Sequence, residues 1–189
     1  GFSLSGTMLL NLLGRHDREL QALPQLAAAL SVCAPVDLEL SSRRLDRPEN
    51  KHYDLYYVHA LIRHVQKRQL VDAELIQQRM PRPSLREFDQ HFTAPLAGFR
   101  DRQDYYGSCS PAAIVEQIRL PTVVLAAAND PIVPPKTVLD APWSSNVTVC
   151  MQSSGGHLGF IARDRTSFGD YRWMDDFILR WLDRVSQAK

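Results

Sequence analysis

Apolar positions along the chain fall into two rhythms. Near the start, Leu4, Met8, Leu9, Leu12 and Leu13 recur at helical spacing and predict a buried helix ended by Gly14. Residues 27–34 form a short apolar run stopped by Pro35, and Val32 and Cys33 tilt it towards a buried strand. Residues 41–51 are charged and carry Pro48, so they read as a loop. Helical spacing returns over 53–69, with Leu55, Val58, Leu61, Ile62 and Val65 on one side and Arg63, Lys67 and Arg68 on the other. Ser84-Leu85-Arg86-Glu87 is a capping box with Ser84 as N-cap, and Pro95 is expected to end the helix that this box opens. Ser110-Pro111 starts another short helix. Residues 122–128 and 147–151 are β-branched or apolar throughout and read as buried strands. The last stretch, 171–185, sets Trp173, Met174, Phe177, Ile178, Trp181 and Leu182 on one face of an amphipathic helix.

Apolar strands separated by helices imply an α/β fold with a parallel sheet covered on both faces. The strands near 27–34, 122–128 and 147–151 are expected to be adjacent, parallel and in chain order. The strand-free stretch of about 43–107 is too long for an ordinary connection and reads as an inserted helical cap, lying over the carboxyl edge of the sheet.

Composition narrows the functional classes. A net charge of +1 gives no reason to expect a nucleic-acid partner. Cys33, Cys109 and Cys150 are odd in number and widely spaced, which fits a reducing, cytoplasmic compartment and no disulfide framework. No His, Cys and Asp residues stand at metal-ligand spacing along the sequence, so neither a metal nor a cofactor is expected. The longest apolar run, 26–36, contains Ser31 and Pro35 and is too short to span a bilayer.

The chemistry is concentrated at three places. Gly1-Phe2-Ser3-Leu4-Ser5-Gly6, leading into a helical pattern, is close to the G-x-S-x-G turn that lifts a nucleophilic serine out of a strand-to-helix corner. There the Leu4 N–H, at the helix start, can face an oxyanion. Such a turn needs a strand before it, so the chain reads as the C-terminal part of a longer enzyme. A serine nucleophile needs a base and an orienting acid, in the order Ser, Asp or Glu, His for this fold. Ser3, Asp130 and His157 have that order, and the last two come directly after predicted strands. Asp37 is a rival acid because it comes after the first predicted strand. Taken singly, each has an ordinary explanation: a serine near a chain end, a turn aspartate before proline, a solvated loop histidine. Order and placement together favour catalysis. His59 and His64 fall on the helix over 53–69 and read as surface residues, and His16, His52 and His91 lack a partner pattern.

Longer blocks carry a family resemblance. Gly1-Phe2-Ser3-Leu4 with Gly6, Leu85-Arg86-Glu87-Phe88-Asp89 with Thr93-Ala94-Pro95, Gly98-Phe99, Asp104-Tyr105-Tyr106, Pro121-Thr122, Asn129-Asp130-Pro131 and Gly155-Gly156-His157-Leu158-Gly159-Phe160 resemble the YheT-like branch of the α/β-hydrolases. The resemblance implies a serine carboxylic ester hydrolase with Ser3 as nucleophile, Asp130 as acid and His157 as base. It also implies a small-molecule acyl ester or lipid substrate, with peripheral membrane contact left open. Acyl transfer to an alcohol uses the same residues, and a non-catalytic binding protein on this fold is the rival from another class. Ser5 stands where the family usually has glycine. The family's N-terminal half, with its first strands and second oxyanion donor, has no counterpart here. The first strand is therefore expected to present an open edge, and the isolated chain to be poorly soluble and nearly inactive.

Overall fold

The computed structural model describes residues 1–16, 19–20, 22–23 and 25–187. They form two units, Gly1–Val36 with Ser110–Lys189, and Asp37–Cys109. In the first unit, β1 (Ala29–Val32), β2 (Thr122–Ala127) and β3 (Val147–Gln152) lie side by side in that order, all parallel. This is the expected α/β arrangement, and its cause is visible in the burial. All four residues of β1 and five of the six in β2 are buried, so both faces of these strands are covered.

Register decides what each face carries. Leu30 pairs with Val123, Val32 with Leu125 and Leu125 with Cys150, so these side chains share one face. Leu30, Val32, Leu125, Ala127 and Phe160 form its core, and Trp173, Met174, Phe177, Ile178 and Trp181 of the helix Trp173–Gln187 pack against it. Trp173 stacks on Phe177 at 5.1 Å between ring centroids and lies 5.7 Å from Phe160. Phe160→Ala is expected to cost about 3–5 kcal/mol, because a nearly unexposed ring would leave a cavity at the centre of this cluster. Urea unfolding reads it as a lower midpoint at constant slope; a loss under about 1 kcal/mol would show that the ring carries no core packing.

The opposite face receives helix α1 (Leu4–Arg15). A Cβ at Gly6 would sit 2.8 Å from both Ser31 Oγ and the Ala34 Cβ, so only glycine lets the helix approach this closely. The buried stripe of α1 is Gly6, Thr7, Leu10, Leu13 and Gly14, whereas Leu4, Met8 and Leu12 are exposed. The helix is thus half-buried rather than buried, with its small residues inward. Gly14 does not end it, since the helix runs on to Arg15. Gly14 instead allows close packing, because a Cβ there would lie 2.8 Å from the Ile114 carbonyl.

The edge of β1 is also occupied. Gly1–Ser3 runs alongside it in parallel: the Val32 N–H donates to the Gly1 carbonyl at 2.9 Å, and the Ser3 N–H donates to the Val32 carbonyl at 2.8 Å. Three residues before the helix suffice to satisfy that part of the strand, which the expectation of an open edge overlooked.

The second unit is helical, and no strand occurs among its described residues. Its main helices are Leu38–Leu45, Lys51–Lys67, Ala73–Arg79 and Arg102–Cys109, and its core is Val58, Val65, Ile76, Met80, Phe88 and Phe92. Residues 41–51 are not a loop. Leu38–Leu45 is nucleated by Asp37, whose carboxylate caps the Leu40 N–H at 2.8 Å, and is supported by a Glu39–Arg43 pair. Pro48 opens a 3₁₀ turn, Pro48–Asn50, where its missing N–H is harmless. Ser84 caps as expected, accepting the Glu87 N–H at 3.2 Å. The Leu85 N–H goes to Asp54, a buried carboxylate from the Lys51–Lys67 helix, at 2.8 Å. Pro95 does not end this segment. A π turn over Asp89–Thr93 widens the helix, and Pro95 then lies in the first turn of Ala94–Leu96.

Candidate active site

The site is built from the ends of four parallel backbone segments of the first unit. Ser3 ends the short extended stretch beside β1 and occupies the N-cap position of α1. Its φ of 48° lies in the left-handed region, an uncommon conformation for a residue with a Cβ. The corner is held by its neighbours. A Cβ at Gly1 would come 2.7 Å from the Ser5 carbonyl. Ser5 Oγ accepts the Phe2 N–H at 2.8 Å and donates to the Phe2 carbonyl at 2.8 Å. The serine at position 5 therefore ties the turn with two bonds that glycine lacks. Leu4 opens α1, so its N–H belongs to the first turn, whose donors have no intrahelical acceptor.

Asp130 sits in the turn after β2 and is 1% exposed. Its Oδ1 accepts the N–H groups of Ile132 at 2.8 Å and Val133 at 2.9 Å. That fixes the carboxylate and leaves Oδ2 to face His157 Nδ1 at 3.0 Å. On the other side of the ring, His157 Nε2 lies 2.9 Å from Ser3 Oγ. A carboxylate only accepts, so the neutral ring carries its proton on Nδ1, and Nε2 accepts from the serine hydroxyl. The histidine side chain is 6% exposed.

The loop that carries His157 is positioned by a residue that sequence reasoning did not single out for this role. Asn129 Oδ1 accepts the N–H groups of both Gly155 and Gly156 at 2.9 Å. Any Cβ at Gly155 would fall 2.3 Å from the Phe160 ring, and Gly156 has φ +56°, so the two glycines are needed for this turn. The signal was present as an Asn directly before the candidate acid, but a side chain in a turn after a strand has too many local uses to be assigned. Asp37 stands at the head of the helix Leu38–Leu45, with its carboxylate on the Leu40 N–H. His59 and His64 are exposed on the Lys51–Lys67 helix.

One more group stands at the centre. Cys33, directly after β1, is fully buried with φ 47°. Its ligating atom and those of Asp130 and His157 all lie within 4.8 Å of one another. Burial, with the Asp130 charge beside it, pushes the thiol up to about 12, so it is a protonated S–H. Linear spacing excluded a metal-type cluster, yet three strand ends bring a thiol, a carboxylate and an imidazole together. Positions 33, 130 and 157 are too far apart in sequence for any spacing rule to show it.

Along its whole length the chain is 30% identical to the putative esterase YheT of Escherichia coli, of which it covers 55%. The chain is thus similar to the YheT-like α/β-hydrolases along its length. It is also 31% identical over 85% of its length to the phospholipase ABHD3 of Mus musculus, covering 39% of that protein. Over 96% of its length it is 28% identical to the monoacylglycerol lipase of Saccharomyces cerevisiae, covering 41% of it. The chain thus spans about half the length of the curated relatives it matches. No family model matches it. Among the described residues, no helix is long and apolar enough to cross a membrane.

Proposed function

We propose that the protein is a serine carboxylic ester hydrolase acting on acyl esters, lipids among them, through an acyl-enzyme on Ser3. The observation that carries this reading is the unbroken line from Ser3 Oγ through the His157 ring to Asp130 Oδ2, with gaps of 2.9 and 3.0 Å. Serine alone is a weak nucleophile at neutral pH; within this line the imidazole removes its proton as the oxygen attacks the ester carbonyl. The resulting imidazolium is stabilised by Asp130, and the oxyanion is met by the Leu4 N–H. His157 then gives its proton to the departing alkoxide. Water, deprotonated by the same nitrogen, cleaves the acyl-serine bond and releases the acid. In this reading residues 43–107 are an inserted helical cap of the hydrolase domain. The names of the relatives, an esterase, a phospholipase and a monoacylglycerol lipase, support an ester or lipid substrate.

A fluorophosphonate probe tests the reading. One phosphonyl adduct on the peptide containing Ser3, absent in Ser3→Ala, is the expected result. Failure to label the folded protein, or labelling that survives the substitution, would overturn it. Product analysis with an added alcohol separates hydrolysis from acyl transfer, because the two share the first step.

Asn129 acts in this scheme as a positioning residue. Asn129→Ala frees the two glycine N–H groups and lets the His157 ring drift, with an expected loss of about 10²-fold in kcat at little change in KM. A rise in KM at constant kcat would show that the loop serves substrate binding instead.

A further inference from the structure

The structure assigns to Cys33, Asp130 and His157 a binding site for a single zinc-type cation that switches the triad off. The binding itself stands on the geometry of three side chains; its consequence for turnover rests on the ester-hydrolase reading.

The donor set is one borderline-soft cations favour: one sulfur, one imidazole nitrogen and one carboxylate oxygen. Magnesium and calcium want an all-oxygen shell, which these residues do not provide. In a tetrahedral zinc site with bond lengths of about 2.0–2.3 Å, ligand atoms lie about 3.3–3.6 Å apart. The three donors already lie within 4.8 Å of one another, with Asp130 Oδ2 and His157 Nδ1 3.0 Å apart, so side-chain shifts of about 1 Å complete three corners and leave the fourth for water. Two of the three ligands are held in advance. Asp130 Oδ1 is fixed by the N–H groups of Ile132 and Val133, which leaves Oδ2 for the cation. The His157 loop is tied through Asn129.

Charge also balances. A divalent cation with one thiolate and one carboxylate is neutral as a unit, which suits burial better than a lone charge does. The bare alternative is that Cys33 is a small buried hydrophobe, as free cysteines often are. It is itself one of the buried residues of the apolar cluster with Leu30, Val32 and Leu125. That role does not require its sulfur to stand within 4.8 Å of both the carboxylate oxygen and the imidazole nitrogen.

Binding moves protons but no electrons. The metal forms bonds to Cys33 Sγ, Asp130 Oδ2 and His157 Nδ1. The thiol proton leaves to solvent. The ring proton moves from Nδ1 to Nε2, so the imidazole stays neutral. Nε2–H then faces Ser3 Oγ at the 2.9 Å position where an acceptor is needed. The serine can no longer give up its proton, and turnover stops without any change at the nucleophile.

The experiment uses the full chain and two readouts. Calorimetric titration with zinc is expected to give one site per chain. Cobalt(II) substituted for zinc is expected to show a thiolate-to-metal charge-transfer band, lost in both Cys33→Ser and Cys33→Ala. Each variant's affinity for zinc should fall by at least about 100-fold, since losing a direct ligand exceeds the loss from an outer partner. Ester turnover should fall with zinc occupancy, return with a chelator, and in each variant resist zinc relative to that variant's own zinc-free rate. Absence of cobalt or zinc binding to the wild-type chain overturns the proposal whatever the activity, as does inhibition of equal strength in the variants. Binding with a thiolate band but no ester turnover under any condition would overturn the hydrolase reading and leave the metal site standing.

Discussion

Ser3→Ala is expected to lower kcat for ester hydrolysis by about 10⁶-fold, the loss seen when the nucleophile of a serine triad is removed. The reason is local. The hydroxyl meets His157 Nε2 at 2.9 Å, while the backbone of Ser3 is held by its own bond to the Val32 carbonyl, which alanine keeps. Alanine accepts the left-handed φ of 48° about as poorly as serine does, so stability should stay within about 0.5 kcal/mol. The measurement is single-turnover hydrolysis of an activated ester, alongside urea unfolding. Turnover at a tenth or more of the wild-type rate in a normally stable variant would mean that Ser3 is not the attacking group.

The two levels of the structure are legible in the sequence to different degrees. Strands β2 and β3 can be read to within a residue or two, because β-branched apolar runs bounded by turn residues have few alternatives. The same holds for the amphipathic helix Trp173–Gln187. The helix Leu38–Leu45 escapes such a reading because its stability lies in a cap and ion pairs rather than in an apolar stripe. Gly14 and Pro95 mislead for a related reason. Each is a breaker by propensity, but tertiary surroundings set its role: close approach to Ile114 for one, a preceding π turn for the other. In the site, Ser3, Asp130 and His157 can be paired from order and strand ends alone. The supporting contacts of Ser5, Asn129 and Cys33 cannot, because they are made by short side chains across a fold. Their residue types carry no pattern in one dimension.

Asp130→Asn separates the two candidate acids and is expected to cost about 10⁴-fold in kcat, as the corresponding change does in a serine triad. The geometry forces the outcome. Oδ1 accepts two backbone N–H groups, from Ile132 and Val133, so the amide oxygen of asparagine must take that place. The NH₂ group then falls where Oδ2 faced the ring, 3.0 Å from His157 Nδ1, and donates to it. Nδ1 becomes an acceptor, the ring proton moves to Nε2, and the base is lost although every heavy atom stays in position. Asp37→Asn provides the contrast. Its carboxylate holds the Leu40 N–H, a bond that the asparagine oxygen can keep. Turnover in that variant should stay within a few-fold of wild type. A large loss in Asp37→Asn together with a small one in Asp130→Asn would reverse the assignment. Losses of equal size would show that neither carboxylate acts through the imidazole alone.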